Sequence, residues 1–279
     1  MDDGLSTDEI MQLALNLVGA TAVPGDSAIY VSGTGLKRIM IGVDVGAAEL
    51  LLARQLGVDG VIAHHPAGGS AVLDFPKVLV RGVELMVEAG VPEEIARQTM
   101  QPAIARAMLR AQAANHDHAP SVARMLGLPF LNVHLPLDEY GRRVMDNTIA
   151  NYLGELGREG LVGDVVAALR TIPEIRNAPT RVMVPVGRLD GPAGRVMVFH
   201  GAGTNGGFSV AQTLFTYGVG TVVYIHLAPE EAEKLRALPA PSGNLVVSGH
   251  IASDLIGVTR LVQALEERGV ELVRMSGVV

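Results

Sequence analysis

The chain has 279 residues, a formal net charge of -7, 48% hydrophobic and 18% charged residues, and no cysteine. That balance describes a well-buried α/β protein of one large or two smaller domains and excludes a disordered chain, while the acidic surplus and the lack of any Lys/Arg-rich block argue against a grip on nucleic acid. Without cysteine there are neither disulfides nor thiolate metal sites, so a metal has to be held by His, Asp, Glu or water, a donor set that suits borderline or hard divalent ions.

In chain order, the acidic start MDDGLSTDEI does not read as a signal peptide, and no apolar run reaches membrane-spanning length, so cytoplasm is the expected location. Ser6 caps a helix with Glu9 at its third position, and the helix stops near Gly19. Residues 26–31 make a short strand or loop, and the following Ser32-Gly33-Thr34-Gly35 is a turn, since it lacks the rest of a nucleotide fingerprint. Residues 37–45 form a strand of nearly continuous apolar character, as burial on both faces requires, ending at Asp44. A helix over 47–56 and a second strand, 61–63, complete a strand-helix-strand unit that predicts a parallel pair.

That second strand opens onto His64, His65 and Pro66. Successive strand side chains point to opposite faces, so both imidazoles converge only if the backbone turns at Pro66. Gly68-Gly69-Ser70 loops away, and residues 75–89 and 92–114 read as helices, the second kinked or interrupted at Pro102. His118, in the polar turn Asn115-His116-Asp117-His118, is kept as a candidate ligand, and Ser121 caps a helix over 122–126 that Gly127 ends. A buried strand from Pro129 then empties into His134, Pro136 and Asp138, with a helix from Glu139 or beyond.

Further on, residues 141–156 and 163–170 are helical, and strands 180–186 and 194–199 are expected to form an antiparallel pair. The division into lobes is placed here: 1–178 as an N-terminal α/β lobe with a helical insertion, and 179–279 as a C-terminal α/β lobe. The loop His200 to Gly207 precedes a helix over 208–217 whose start would favour an anion, and a strand over 221–225 ends on His226. A last buried strand, 244–248, is followed by His250 and Asp254, four residues apart, and by a helix over 255–268. If that helix begins by Ile251, His250 and Asp254 share one face of its first turn. The three strand ends together supply His64, His65, His134, Asp138, His250 and Asp254, enough for two adjacent metal ions and poor in other catalytic groups.

The runs Ile62-Ala63-His64-His65-Pro66, His134-Leu135-Pro136-Leu137-Asp138 and Gly249-His250-Ile251-Ala252-Ser253-Asp254 resemble, in order and at corresponding strand ends, those of the NIF3-like proteins, also called GTP cyclohydrolase type 2-like, although the segment between His65 and His134 is longer than in compact members. The resemblance extends over most of the chain, including Gly42-Val43-Asp44 and Gly201-Ala202-Gly203. It implies two related α/β lobes with mixed sheets around a central dinuclear metal site, His64, His65, Asp138, His250 and Asp254 as ligands, His134 beside the site, and a homohexamer built from dimers. Asp254 stands where the family usually has glutamate, and His226 where a Thr-Gly-Glu turn is usual. The implied activity is metal-dependent hydrolysis through two divalent ions per chain (Zn, Fe or Mn), acting on a nucleotide or phosphate ester, with His134 relaying a proton. The alternatives are a non-enzymatic metal-binding scaffold or regulatory protein, or nucleotide binding without turnover if the Gly201–Gly207 loop faces the metals.

Overall fold

The computed structural model describes residues 4–200, 206–239 and 243–278. In chain order the elements are α1 (Thr7–Val18), β1 (Ala28–Val31), β2 (Arg38–Gly42), α2 (Ala47–Gln55), β3 (Gly60–Ala63), α3 (Gly69–Leu73), α4 (Phe75–Val78), α5 (Val80–Glu88), α6 (Glu93–Ala113), α7 (His118–Leu126) and β4 (Phe130–Asn132). They continue with α8 (Leu135–Gly154), α9 (Val162–Leu169), α10 (Pro173–Arg176), β5 (Met183–Val186), β6 (Val196–Val198), α11 (Gly207–Thr216), β7 (Thr221–Tyr224), α12 (Pro229–Arg236), β8 (Asn244–Val247), α13 (His250–Glu266) and β9 (Glu271–Met275).

Two compact units emerge, each assembled from separate stretches of chain: Met1–Val78 with Ile104–Tyr140 and Leu255–Val279, and Leu79–Ala103 with Gly141–Asp254. The cut placed at 178/179 from sequence falls inside the second unit, because α13 and β9 return to the first sheet, and no local pattern announces a return over such a separation. The boundary at Asp254/Leu255 lies within α13, which is one continuous helix.

The first unit holds a five-stranded sheet in the order β1-β4-β3-β2-β9. The four strands β4, β3, β2 and β9 run parallel, and β1 is an antiparallel edge. Alternation along each strand builds a core on both faces. Ile39, Ile41, Ile62 and Leu131 meet Ile10, Ala14 and Leu15 of α1 and Val258, Leu261 and Leu265 of α13 on one side. On the other, Met40, Val61 and Phe130 meet Leu50 and Ala53 of α2 and Ala119 and Ala123 of α7. This is why the strands read as unbroken apolar runs. Helix α1 starts on the expected capping box, with Ser6 Oγ accepting from Glu9 N–H and the Glu9 carboxylate accepting from Ser6 N–H, and it ends at Gly19, whose φ of 70° suits a residue without a side chain.

The second unit holds a four-stranded sheet, β5-β8-β7-β6, in which β8, β7 and β6 are parallel and β5 is an antiparallel edge. Here the sequence-based pairing is corrected: β5 and β6 are not neighbours, and β5 pairs instead with β8. The connection between them has the turn residues of a hairpin, but Asn244 at the head of β8 fills the space above Gly187 and donates to Pro192 O, placing β8 against that turn.

Several element boundaries also differ. Residues from Gly69 form α3 where a loop was expected, and α6 runs uninterrupted through Pro102. Helix α7 begins at His118 with Asp117 in the capping position, four residues ahead of Ser121, the expected cap. Helix α8 begins at Leu135, so Pro136 sits in its first turn, where a missing N–H costs nothing. Among the described residues no helix is long and apolar enough to cross a membrane.

Candidate metal centre

Three adjacent parallel strands deliver the first set of polar residues. Gly42 of β2 pairs with Ala63 of β3, and Ala63 with Asn132 of β4, so the three carboxyl ends lie level. The residues that follow them are Asp44, His64 with His65, and His134, at the end of the sheet where α/β proteins place their ligands. Because β3 ends at Ala63, the His64-His65 pair escapes the alternation of a strand, and the two rings lie 5.1 Å apart, centroid to centroid.

The three histidines share an orientation. His64 Nδ1 donates to the carbonyl of Val133 at 2.9 Å, His65 Nδ1 meets Asp44 Oδ1 at 2.8 Å, and His134 Nδ1 meets Asp26 Oδ2 at 2.8 Å. With Nδ1 engaged by an oxygen acceptor, each ring presents Nε2 as its remaining donor atom, the arrangement by which second-shell groups orient histidine ligands. His64 Nε2 lies 3.2 Å from Asp138 Oδ1, and His134 Nε2 lies 3.6 Å from Asp138 Oδ2. His64 is 2% exposed and Asp138 1%, so this is a buried carboxylate facing imidazole lone pairs, a juxtaposition that calls for positive charge.

Asn132 holds this end of the sheet together. Its Oδ1 accepts from Ala28 N–H and from the Tyr30 hydroxyl, and its Nδ2 donates to Asp26 O at 2.8 Å and His64 O at 3.3 Å. Tyr30 in turn accepts from Ala67 N–H, and burial pushes its hydroxyl well above the ordinary tyrosine range, so it stays a donor.

The remaining candidates begin α13. Gly249 adopts a φ of 107°, and a side chain there would press on Thr180, so glycine is what lets β8 turn at once into a helix starting at His250. His250 and Asp254 therefore occupy successive turns of one face, with Nε2 3.2 Å from Asp254 Oδ2. Asp254 is 2% exposed. Beyond them α13 is anchored in the first unit's core, and Gly257 packs so closely on the Leu137 carbonyl that no Cβ fits. Leu137 is one residue from Asp138.

Three groups of donor atoms result, each within 4.8 Å: His64, His65 and His134; His65, His250 and Asp254; and His64, Asp138 and Asp254. Imidazole nitrogens and carboxylate oxygens in this number fit borderline divalent ions, and the shared members His64, His65 and Asp254 fit two neighbouring positions. All six residues singled out from sequence thus fall within these groups. His118 does not: it opens α7, exposed. His226 is exposed with its ring 4.7 Å from that of His250, and His200 is buried just after β6. Most of the glycine loop, 201–205, lies outside the described residues, but the helix after it is informative: Phe208 N–H donates to Glu231 Oε2 at 2.6 Å, so the anion at the start of α11 is the chain's own carboxylate. Sequence reasoning missed Asp26, Ser27, Asn132 and Tyr30, since a lone Asp-Ser pair or an asparagine ending a strand carries no signal of its own.

No family model matches the chain, and no curated protein does. Among solved structures it is similar to that of a NIF3 superfamily protein from Sphaerobacter thermophilus, with 62% identity over 99% of this chain and 100% of that one and a TM-score of 0.96. Reduced HcgD from Methanocaldococcus jannaschii is 12% identical over 97% of this chain and 98% of its own, with a TM-score of 0.53. TTHA1606 from Thermus thermophilus is 17% identical over 98% of each chain, with a TM-score of 0.52. The last two share the fold alone.

Proposed function

The chain belongs to the NIF3 superfamily, and from that premise we propose that it is a metal-dependent hydrolase in which His64, His65, Asp138, His250 and Asp254 hold two divalent ions and His134 moves a proton. The observation that carries this reading is the common setting of the three strand-end histidines, each with Nδ1 engaged by an oxygen acceptor, and with Nε2 of His64 and of His134 lying 3.2 and 3.6 Å from the buried Asp138 carboxylate. Divalent ions supply Lewis acidity when bound, polarising a substrate oxygen and lowering the pKa of water towards neutrality. Asp138 and Asp254 balance their charge, and Asp44 keeps the His65 ring in its ligand orientation. His134 takes up a proton at Nε2 and returns it to the leaving group. Nucleotides and other phosphate esters are the proposed substrates, and zinc, iron or manganese the proposed ions.

The test is hydrolysis of a panel of phosphate esters and nucleotides by metal-loaded protein. His134→Ala is expected to lower turnover roughly a hundred- to ten-thousand-fold with metal content and melting temperature nearly unchanged. His250→Ala is expected to lose metal and stability together, because binding to the folded state adds to its apparent stability. Failure of wild type to turn over any member of the panel, with every coordination position filled by protein, would replace the hydrolase with a scaffold whose metals act as staples.

A further inference from the structure

His134 is held at two points by one dipeptide. Asp26 and Ser27 stand just before β1, and because β1 is the antiparallel edge, with Ala28 opposite Asn132, its leading residues reach the carboxyl end of β4. A parallel strand in that place would bring its last residues there instead. Asp26 Oδ2 lies 2.8 Å from His134 Nδ1, and Ser27 Oγ accepts from the His134 backbone N–H at 2.9 Å. Asp26 is fully buried, Ser27 is 4% exposed, and Asn132 Nδ2 ties down the Asp26 carbonyl. A carboxylate withdrawn from water and set against one ring nitrogen of a neutral imidazole can only accept, so it selects the tautomer with the hydrogen on Nδ1.

We propose that Asp26 and Ser27 are positioning residues for His134: Asp26 fixes the hydrogen on Nδ1 and turns the Nε2 lone pair toward Asp138, and Ser27 fixes the backbone from which the ring projects. The role in turnover rests on the hydrolase reading; the choice of tautomer does not. When His134 takes a proton at Nε2, the Nδ1–H stays in place and the imidazolium lies against the Asp26 carboxylate, so no proton passes to Asp26.

Nitrogen NMR on protein with isotope-labelled histidine, recorded above about pH 8 where an ordinary imidazole is neutral, reads the tautomer directly, with the His134 signal assigned by its loss in His134→Gln. The wild type is expected to carry the hydrogen on Nδ1. A hydrogen on Nε2 overturns the proposal without any variant at Asp26, so the test survives if a buried substitution fails to fold. In Asp26→Asn, whose amide can donate to Nδ1, the hydrogen is expected to move to Nε2 at unchanged metal content, and retention of the Nδ1 tautomer would also overturn the proposal. In Ser27→Ala the Nδ1 tautomer is expected to persist, and its loss would mean that Asp26 alone does not select it. Turnover separates the two claims: a moved hydrogen with a loss of roughly a hundred-fold or more in kcat supports both, whereas a moved hydrogen with full turnover leaves the clamp standing and removes His134 from the reaction.

Discussion

At the scale of single residues, the site depends on groups that touch no proposed ligand position. Asn132 spends both halves of its amide on backbone and Tyr30, and so joins the start of β1, the His64 carbonyl and the Tyr30 hydroxyl. A buried polar network of this kind is stabilising only while every member is satisfied. Tyr30 gives it a pH dependence. Burial raises the hydroxyl pKa in the folded chain above its unfolded value of about 10, so the contribution is complete below pH 10 and is lost as the pH rises beyond it. Urea unfolding measured between about pH 8 and pH 11 should show stability falling across the upper part of that range. Tyr30→Phe should have a shallower fall and a lower stability at neutral pH, by about 1 kcal/mol for the lost hydrogen bonds. An identical alkaline slope in wild type and variant would show that Tyr30 is not the group responsible, and would turn attention to Tyr224, whose burial raises it as well.

At the scale of elements, the position of Asp254 follows from a helix contact. Gly257 stands three residues after Asp254, on the same side of α13, and rests on the Leu137 carbonyl next to Asp138. Gly257→Ala should force α13 away from α8, destabilise the protein by about 1–3 kcal/mol and lower its affinity for added zinc, whereas a distant exposed alanine substitution should do neither. Isothermal titration alongside thermal unfolding measures both; unchanged zinc affinity in a destabilised variant would detach this contact from the site. The same elements explain what the sequence disclosed. Strands β2, β3 and β4 were legible because burial on two faces leaves a continuous apolar run, and the histidines that follow β3 and β4 were legible because polar residues stop such runs abruptly. Strand β9 was missed, since Glu271-Leu-Val-Arg-Met275 is half-covered at the sheet edge and mixes charge with apolar residues. The start of α13 at His250 was left conditional, because nothing in the sequence tells whether Gly249 turns the chain or ends the strand. Asp26 was invisible for a different reason: its contact with His134 spans more than a hundred residues and depends on the direction of β1.

At the scale of the molecule, the two units repeat one plan. Each has an antiparallel edge strand, β1 or β5, beside a parallel strand, β4 or β8, that runs into a helix beginning near a His-x-x-x-Asp sequence, His134 to Asp138 or His250 to Asp254. The next strand inward, β3 or β7, is followed within two residues by histidine, His64 and His65 in one unit and His226 in the other. Assembly belongs to this scale too. Leu51 and Leu52 on α2, Leu56 just after it, and Met125 on α7, a helix that packs against α2, are exposed apolar side chains of the kind that association covers. We propose the homohexamer of dimers implied by the family resemblance, and sedimentation equilibrium should give a mass six times 29.3 kDa; a monomer mass throughout the micromolar range would contradict it. The claim on which the whole account turns is that these side chains hold two ions, and elemental mass spectrometry tests it most directly on protein purified without chelator and supplemented with zinc, iron or manganese. Close to two ions per chain are expected, falling in Asp138→Asn with the fold retained; a stoichiometry well below one in the metal-supplemented wild type would contradict a two-ion site.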